Sequence, residues 1–392
     1  MLSPVVCYFL RPSDTKRSNY PIAKMSNFIL NKSFVLRDYI TSFDLLEKNL
    51  GTQSSLFDTN AAPPEGDILT KNLYASLDAY QLGRMRGSSD LRCVIRPFGI
   101  GETIENFSVA KVIISDNAKS QKDDLVVGLL PVEEYSRVSR ERVENMLSPL
   151  DNPSGLNLEY FLGPLGMPGL AAHASFYNIG KPVAGGTICI STAAGAVGQV
   201  VGQLAKREGL KVIGSVGDAR KLKFITDELG FDGGFIYREE STKEALTRLA
   251  LDGIDIYFDS VGGEQLEAAL AAMKQSGRIN KCLLLFKRCA NSILPVGCGM
   301  INTYRDPANE PGVKSLMNVV MKGLTYQGFD ITQDFTELEH KLACQNTIRS
   351  QLEKGAWKVL TNISEGIDAA PGGYASLYSG ENFGKSVVKI VV

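Results

Sequence analysis

The 392-residue sequence predicts an α/β chain: a doubly wound parallel sheet joined to a second, β-rich domain. Three observations carry this expectation. The length exceeds one typical domain of roughly 100–200 residues, so two cores are expected. The texture changes near Pro149, from short strand-like runs punctuated by Gly, Pro and Asp to strands alternating with helices. Finally, "TICISTAAGAVGQVVGQLAK" (187–206) reads as strand, tight Ala/Gly turn and helix, the first of four such units in succession.

The elements follow in chain order. Residues 1–24 contain "VVCYFL", shorter than most signal-peptide cores and with no basic segment before it, then a basic and Ser-containing run interrupted by Asp14. This stretch is expected to be a disordered or extraneous extension, with Met25 the natural beginning and a mitochondrial presequence the alternative. From 25 to 152 the strands dominate, with "AAPPEGD" (61–67) a loop and "VAKVIISDN" a strand ending in a turn. Between 153 and 330 the order is "TICIS" as a buried strand, 196–209 as a helix stopped by Gly209, "KVIGSV" as a strand, and 218–229 as a helix stopped by Gly230. There follow "GFIY", a helix over 241–251, "IDIYFD", and a helix over 264–275 before Gly277. "GFDITQDFTELEHKLACQNTIRSQLEKG" reads as an amphipathic helix pair with a solvated face. "NFGKSVVKIVV" reads as a strand returning to the first domain, which therefore comprises 25–152 and 331–392.

Composition narrows the function. Lys plus Arg (42) nearly balance Asp plus Glu (43), so no global field favours nucleic acid or an anionic membrane. No apolar run reaches the roughly 18–20 residues that span a bilayer. Seven Cys without a CxxC pair, and only His173 and His340, give none of the usual zinc-ligand spacings. No metal is expected, and a reduced, cytoplasmic setting fits best. His173 reads as a satisfied helix histidine, His340 as a surface residue and Cys298 as a buried strand thiol.

The Ala/Gly turn carries the chemistry. Gly195 allows main chain to approach a pyrophosphate, Gly198 allows the helix to pack on the strand, and the helix N-terminus offers unpaired N–H groups to an anion. Ala194, Gly195, Ala196, Val197 and Gly198 are thus the candidate phosphate cradle of a Rossmann-type domain. Ala193 stands where the first Gly of G-x-G-x-x-G is usual. Small residues for tight packing alone are the plainer alternative. An NAD enzyme places an acid at the end of the second strand, about 20 residues on. Here "VIGSV" ends without one, and "GDARKLK" follows, bringing Gly217, Arg220, Lys221 and Lys223. Cations suit a 2′-phosphate, so NADP(H) is favoured over NAD(H), with Asp218 the reservation and a merely solvated basic face the alternative.

Several stretches in order resemble the zinc-independent double-bond reductases of the medium-chain dehydrogenase/reductase superfamily, which include prostaglandin reductase and plant alkenal reductases. They are "KNLYASLDAYQLGRMR", "VAKVIISDN", "GLLPVEEYS", "LGPLGMPGLAAHASFYNIGKP", the Ala/Gly turn, "DELGFDGGFIY", "GIDIYFDSVGG", "CGMINTYR" and "YSGENFGKSVVKI", running from about residue 26 to the end. The resemblance implies NADPH-dependent reduction of the carbon–carbon double bond of α,β-unsaturated aldehydes or ketones, without metal. It also implies a split GroES-like catalytic domain around the nucleotide domain, and a homodimer joined near 298–330. By the same resemblance Lys221 contacts the 2′-phosphate with Tyr237 beside it, and Tyr304 is the active-site tyrosine against the cofactor. Asn382 lies near the nicotinamide, and Met167, Gly169 and Leu170 belong to a segment leading to the cleft. Tyr74 and Tyr80 face the cleft in relatives and either line the enone pocket or simply pack. Thr192, Ala79, Gln81, Leu82 and Ser260 depart from the family pattern and bear on pocket shape.

The largest departure is "NKCLLLFKRCANSILPVG" (280–297), where the family has two or three residues; the insertion proper spans about 280–296. It reads either as retained intervening sequence or as a genuine lid or interface loop. Hydride transfer to the β-carbon leaves enolate charge on the carbonyl oxygen, for which the Tyr304 hydroxyl is the candidate donor. A catalytically silent NADP(H)-binding protein, serving regulation or redox sensing, is the second reading. A zinc alcohol dehydrogenase is disfavoured by the missing ligands.

Overall fold

The computed structural model describes residues 28–41, 46–87, 96–283, 312–330 and 338–391. The expectations for residues 1–24, Tyr304, Cys298, the His340 side chain and the insertion beyond Leu283 fall outside them.

The β-rich part begins with an antiparallel ribbon of β1 (Phe28–Leu36) and β2 (Leu50–Asp58). A second sheet holds β3 (Ile68–Ser76), β4 (Glu105–Ser115), β5 (Leu125–Pro131), β6 (Tyr135–Val138) and β7 (Leu147–Pro149), paired antiparallel. Between β6 and β7 lies the short helix α1 (Arg140–Met146), whose N-cap Ser139 accepts the Arg142 N–H. The chain then enters α2 (Met167–Ser175), which opens with Pro in its first turn.

The nucleotide-type part alternates as the sequence predicts: β8 (Thr187–Ile190), α3 (Gly198–Arg207), β9 (Lys211–Val216), α4 (Ala219–Lys223), β10 (Gly233–Ile236), α5 (Thr242–Leu249), β11 (Ile254–Asp259), α6 (Gly263–Ala272), β12 (Met273–Leu283) and β13 (Thr325–Asp330). The six strands lie in the order β10-β9-β8-β11-β12-β13, all parallel. That is the doubly wound order with its reversal between β8 and β11. Period-two alternation sends Ile188 and Ile190 to the face covered by Val200, Val201 and Leu204 of α3. Cys189 and Tyr257 point to the other face, against Leu246 of α5 and Leu266 of α6. Burial on both faces is why these strands read as continuous apolar runs. Helix α3 ends just before Gly209, whose φ of +76° suits glycine.

After β13 the helix Leu338–Glu353 inserts Cys344, Ile348 and Leu352 into the core that holds α2 and α3. Strands β14 (Thr361–Glu365) and β15 (Lys385–Lys389) then return to the β-rich sheet, β15 pairing β3 antiparallel as its sequence suggests.

Two expectations are corrected. The helix over 264–275 ends at Ala272: Met273 is already extended (φ −61°, ψ 141°) and opens β12. The polar "MKQSG" hides this start because the strand begins irregularly, with Ser276 at φ +60° and a register shift against β11. Of the expected helix pair, the described residues form one helix, Leu338–Glu353, and "GFD" completes β13. Strand β12 also takes up residues 280–283, so the first part of the insertion continues the strand.

Candidate active site

The reversal of strand order opens a crevice at the carboxyl ends of β8 and β11. Into it runs the turn Ser191–Val197. The turn is braced by Ala193 N–H donating to Ser215 O (3.0 Å) and Gly195 N–H donating to Thr192 O (2.8 Å). Thr192 sits in the left-handed region at φ +52°. At Gly198 a Cβ would meet Thr192 O at 2.4 Å and the Ala193 Cα at 2.8 Å, so α3 starts directly on the turn's main chain. At Gly195 a Cβ would meet the Thr192 methyl at 2.9 Å, and this residue also bridges Gly384 of the segment leading into β15. No side chain caps the start of α3. Gln199 N–H donates to Gly195 O (3.1 Å), and Val200 and Val201 N–H both donate to Val197 O (3.0 Å), so a diphosphate at the positive end of the helix would meet the main chain of the turn ahead of them.

A cavity of about 300 Å³ lies against this turn and brings together Ala194, Gly195, Gly217, Lys221, Tyr237 and Asn382, all singled out in the sequence. Ala196 and Val197 are half-buried at the mouth of α3, and Gly198 is buried beneath it. Lys221 is buried, and its Nζ donates to Gly380 O (2.6 Å) with Asp218 Oδ2 at 3.7 Å. Burial pushes the Lys221 pKa down; Asp218 opposes this, while Arg238 and Arg220 add to it. Asp218, the sequence's reservation, is committed locally: it N-caps α4 by accepting the Lys221 N–H at 3.0 Å. The donor set fits a dinucleotide bearing a 2′-phosphate: main-chain N–H groups at the turn and cations beyond β9. Asn382 is held by its N–H to Ser376 O (3.3 Å) and by Nδ2 to Gly384 O (3.5 Å).

A second cavity, of about 780 Å³, is walled by Phe107, Phe161, Leu165, Met167 and Leu170, with Ser76 at the end of β3 and Arg349 from the helix Leu338–Glu353. Met167 is therefore at this apolar cavity. Gly169 is buried in α2, where a Cβ would meet Pro164 O at 1.7 Å; close packing already accounts for its lack of a side chain. Tyr80 is buried, its hydroxyl donating to Asn106 Oδ1 and accepting from Gln81 Nε2, both at 3.2 Å. Tyr74 lies half-buried in β3, its hydroxyl pKa raised by burial and then by Glu159. His173 is in α2 against the Tyr177 ring, 4.8 Å between centroids.

Sequence reasoning missed three groups. Arg238 also lines the first cavity; its signal was its place directly after Tyr237 at the end of β10, beside the basic run after β9. Gln199 and Gln203 of α3 bind the main chain of Leu360 and Lys358. Lys385, 1% exposed, donates to Asp78 Oδ1 (2.7 Å) and Leu77 O (3.1 Å), bracing the loop after β3. No local pattern marks these last contacts. Among the described residues no group of three His, Cys, Asp or Glu side chains is placed to hold a metal ion. Cys189 and Cys344 are buried, and burial raises both thiols to about 12, leaving them as thiols at neutral pH.

Known proteins share this architecture. Residues 54–146 match the family model described as the N-terminal domain of oxidoreductase, and residues 196–282 match the one described as zinc-binding dehydrogenase. The chain is 42% identical over 361 residues to the NADP-dependent oxidoreductase RED1 of Cochliobolus heterostrophus, covering 92% of this chain and 97% of that protein. It is 35% identical over 373 residues to the NADP(+)-dependent 2-alkenal reductase of Nicotiana tabacum, covering 93% and 99%. The crystal structure of CurA from Vibrio vulnificus in complex with NADPH superposes with a TM-score of 0.78 at 28% identity, covering 92% and 99%.

Proposed function

The chain belongs to the medium-chain dehydrogenase/reductase family of NADP-dependent oxidoreductases, and from that premise we propose that it reduces the carbon–carbon double bond of α,β-unsaturated aldehydes or ketones with NADPH. The observation that carries this reading is the convergence of the turn, the uncapped start of α3 and the Lys221 cation on one cavity at the strand reversal. NADPH, when bound, supplies the hydride that the β-carbon receives. The residues of the chain do the rest. Gly195 to Gly198 and the N-terminus of α3 hold the diphosphate, Lys221 and Tyr237 the 2′-phosphate, and Asn382, on the segment from the other sheet, the nicotinamide end. Met167 and its apolar neighbours in the larger cavity exclude water and orient the enone. Tyr304 donates a hydrogen bond to the oxygen on which enolate charge develops, and solvent or the same tyrosine supplies the proton that the α-carbon takes up.

Residues 25–152 and 331–392 are assigned to a β-rich, GroES-like catalytic domain and 153–330 to the nucleotide domain, which contributes Tyr304 and Met167 to the cleft. A homodimer is assigned through the sheet edge at β13. A cytoplasmic location is assigned on cysteine usage, and among the described residues no helix is long and apolar enough to cross a membrane. The test is coenzyme oxidation, followed by absorbance with a short alkenal or enone. NADPH consumption coupled to a saturated carbonyl product is expected. Tight NADPH binding with no substrate-dependent oxidation defeats the proposal.

A further inference from the structure

We infer that Arg238 is a second 2′-phosphate ligand and a determinant of coenzyme specificity, preset for that task by the carbonyl end of the helix Ala370–Ser379. The inference rests on the coenzyme reading above and adds a residue to it.

Two cations of the nucleotide-type sheet reach across to the same helix end. Arg238 Nη2 donates to Ser379 O at 2.9 Å, and Lys221 Nζ donates to Gly380 O at 2.6 Å. These carbonyls lie where a helix is partially negative, which holds both cations on one wall of the cavity. Gly380, at φ +75°, leaves room for this: a Cβ there would meet Arg238 Nη2 at 2.9 Å. The Arg238 guanidinium carbon also lies 5.6 Å from the centroid of the Tyr237 ring, and Tyr237 OH would be 3.3 Å from a Cβ at Gly217. Arg238 therefore belongs to the group that meets the adenosine ribose.

Charge completes the argument. Arg220, Lys221 and Arg238 all bear on this site, and each of the two arginines depresses the proton affinity of Lys221. Asp218 is the carboxylate among them, and one of its oxygens is taken by the Lys221 N–H. Glu264, on the cavity lining, is held by Thr242 through its N–H (3.2 Å) and hydroxyl (2.7 Å). Three cations against two carboxylates leave one positive charge in surplus, which favours a phosphate monoester carrying roughly −1.5 to −2 at neutral pH. Lys221 and Arg238 each spend one N–H on a carbonyl and keep others for the ligand.

The experiment compares binding of adenosine 2′,5′-bisphosphate and 5′-AMP to the full chain by calorimetry, for wild type, Arg238→Ala, Arg238→Lys and Lys221→Ala. Loss of one charge-assisted contact is expected to weaken the bisphosphate about tenfold in Arg238→Ala and leave 5′-AMP unchanged, with Arg238→Lys between the two. Bisphosphate affinity unchanged in Arg238→Ala but reduced in Lys221→Ala overturns the inference and leaves the coenzyme reading standing. Equal weakening of both nucleotides in Arg238→Ala overturns it in favour of a bracing role. A wild type that binds the two nucleotides alike overturns both.

Discussion

Lys221 holds its proton less tightly than an ordinary lysine, first because it is buried and then because two arginines face it, with Asp218 only partly compensating. A bound 2′-phosphate supplies the missing negative charge and raises the pKa again. Between the depressed value and the usual lysine value of about 10.4, binding must therefore take up protons. NADPH affinity falls as pH rises through that window, whereas NADH affinity does not. Calorimetry at alkaline pH in two buffers of different ionisation enthalpy should report proton uptake for NADPH with wild type and none with Lys221→Ala. Proton release, or uptake equal in the two proteins, would contradict it. At this scale Lys221 was legible, because it follows a strand end, where side chains of a doubly wound sheet reach a ligand, whereas Tyr237 was singled out only by the family resemblance. Gly198 was legible as well: main chain at Thr192 and Ala193 leaves no space for a Cβ. Gly169 misleads for the same reason, since Pro164 O excludes a side chain there whatever binds nearby.

Helix α3 also holds a distant segment of the chain. Gln199 and Gln203, one turn apart and buried, each present a whole amide to an extended segment about 155 residues later. Gln199 donates to Leu360 O (3.1 Å) and accepts its N–H (2.9 Å), and Gln203 does the same with Lys358 at 2.9 and 3.0 Å. The pair fastens the phosphate helix to the strand system that carries Asn382, reinforced by the Gly195–Gly384 bridge. Gln203→Leu removes two hydrogen bonds to the main chain of Lys358, an exposed residue, and a loss of about 1–2 kcal/mol is expected. Gln203→Glu keeps the acceptor but turns a carboxylate toward Lys358 O and should cost more. Denaturant unfolding measures both, and a wild-type midpoint for Gln203→Leu would show that the clasp carries no load. From sequence the elements themselves were readable: "KVIGSV" and "IDIYFD" are β9 and β11 residue for residue. The clasp was not, because it joins positions whose only relation is three-dimensional. The start of β12 was hidden by its irregular register, and the supposed helix pair by a strand end with helical polarity.

Across the whole molecule the two parts share one ligand surface, since the smaller cavity is lined both by the turn after β8 and by Leu377, Gly380 and Asn382 of the returning C-terminal segment. That return was legible in the strand pattern of the C-terminus, whereas the cavity's shape was not, because it depends on how two sheets 150 residues apart in sequence lean together. The edge of the six-stranded sheet raises a different question. Among the described residues strand β13 is the last in the six-stranded sheet, and an edge strand offers main chain to another copy. Beside it Leu316, Met317, Val320 and Met321 are more than half exposed on one short helical stretch, and Tyr326 of β13 is 41% exposed. So many large apolar groups in one place cost free energy in water, and a symmetric second copy covers the same patch on both chains at once. A stable contact of this kind buries roughly 800 Å² on each partner, more than these side chains alone provide, so the strand edge must take part. Wild type is expected to sediment as a dimer at micromolar concentration, and Val320→Glu, which does not line the coenzyme cavity, puts two like charges at the symmetric contact and should leave a monomer. NADPH affinity should stay unchanged. A wild type that sediments as a monomer, or a Val320→Glu protein that stays dimeric, places the subunit contact elsewhere.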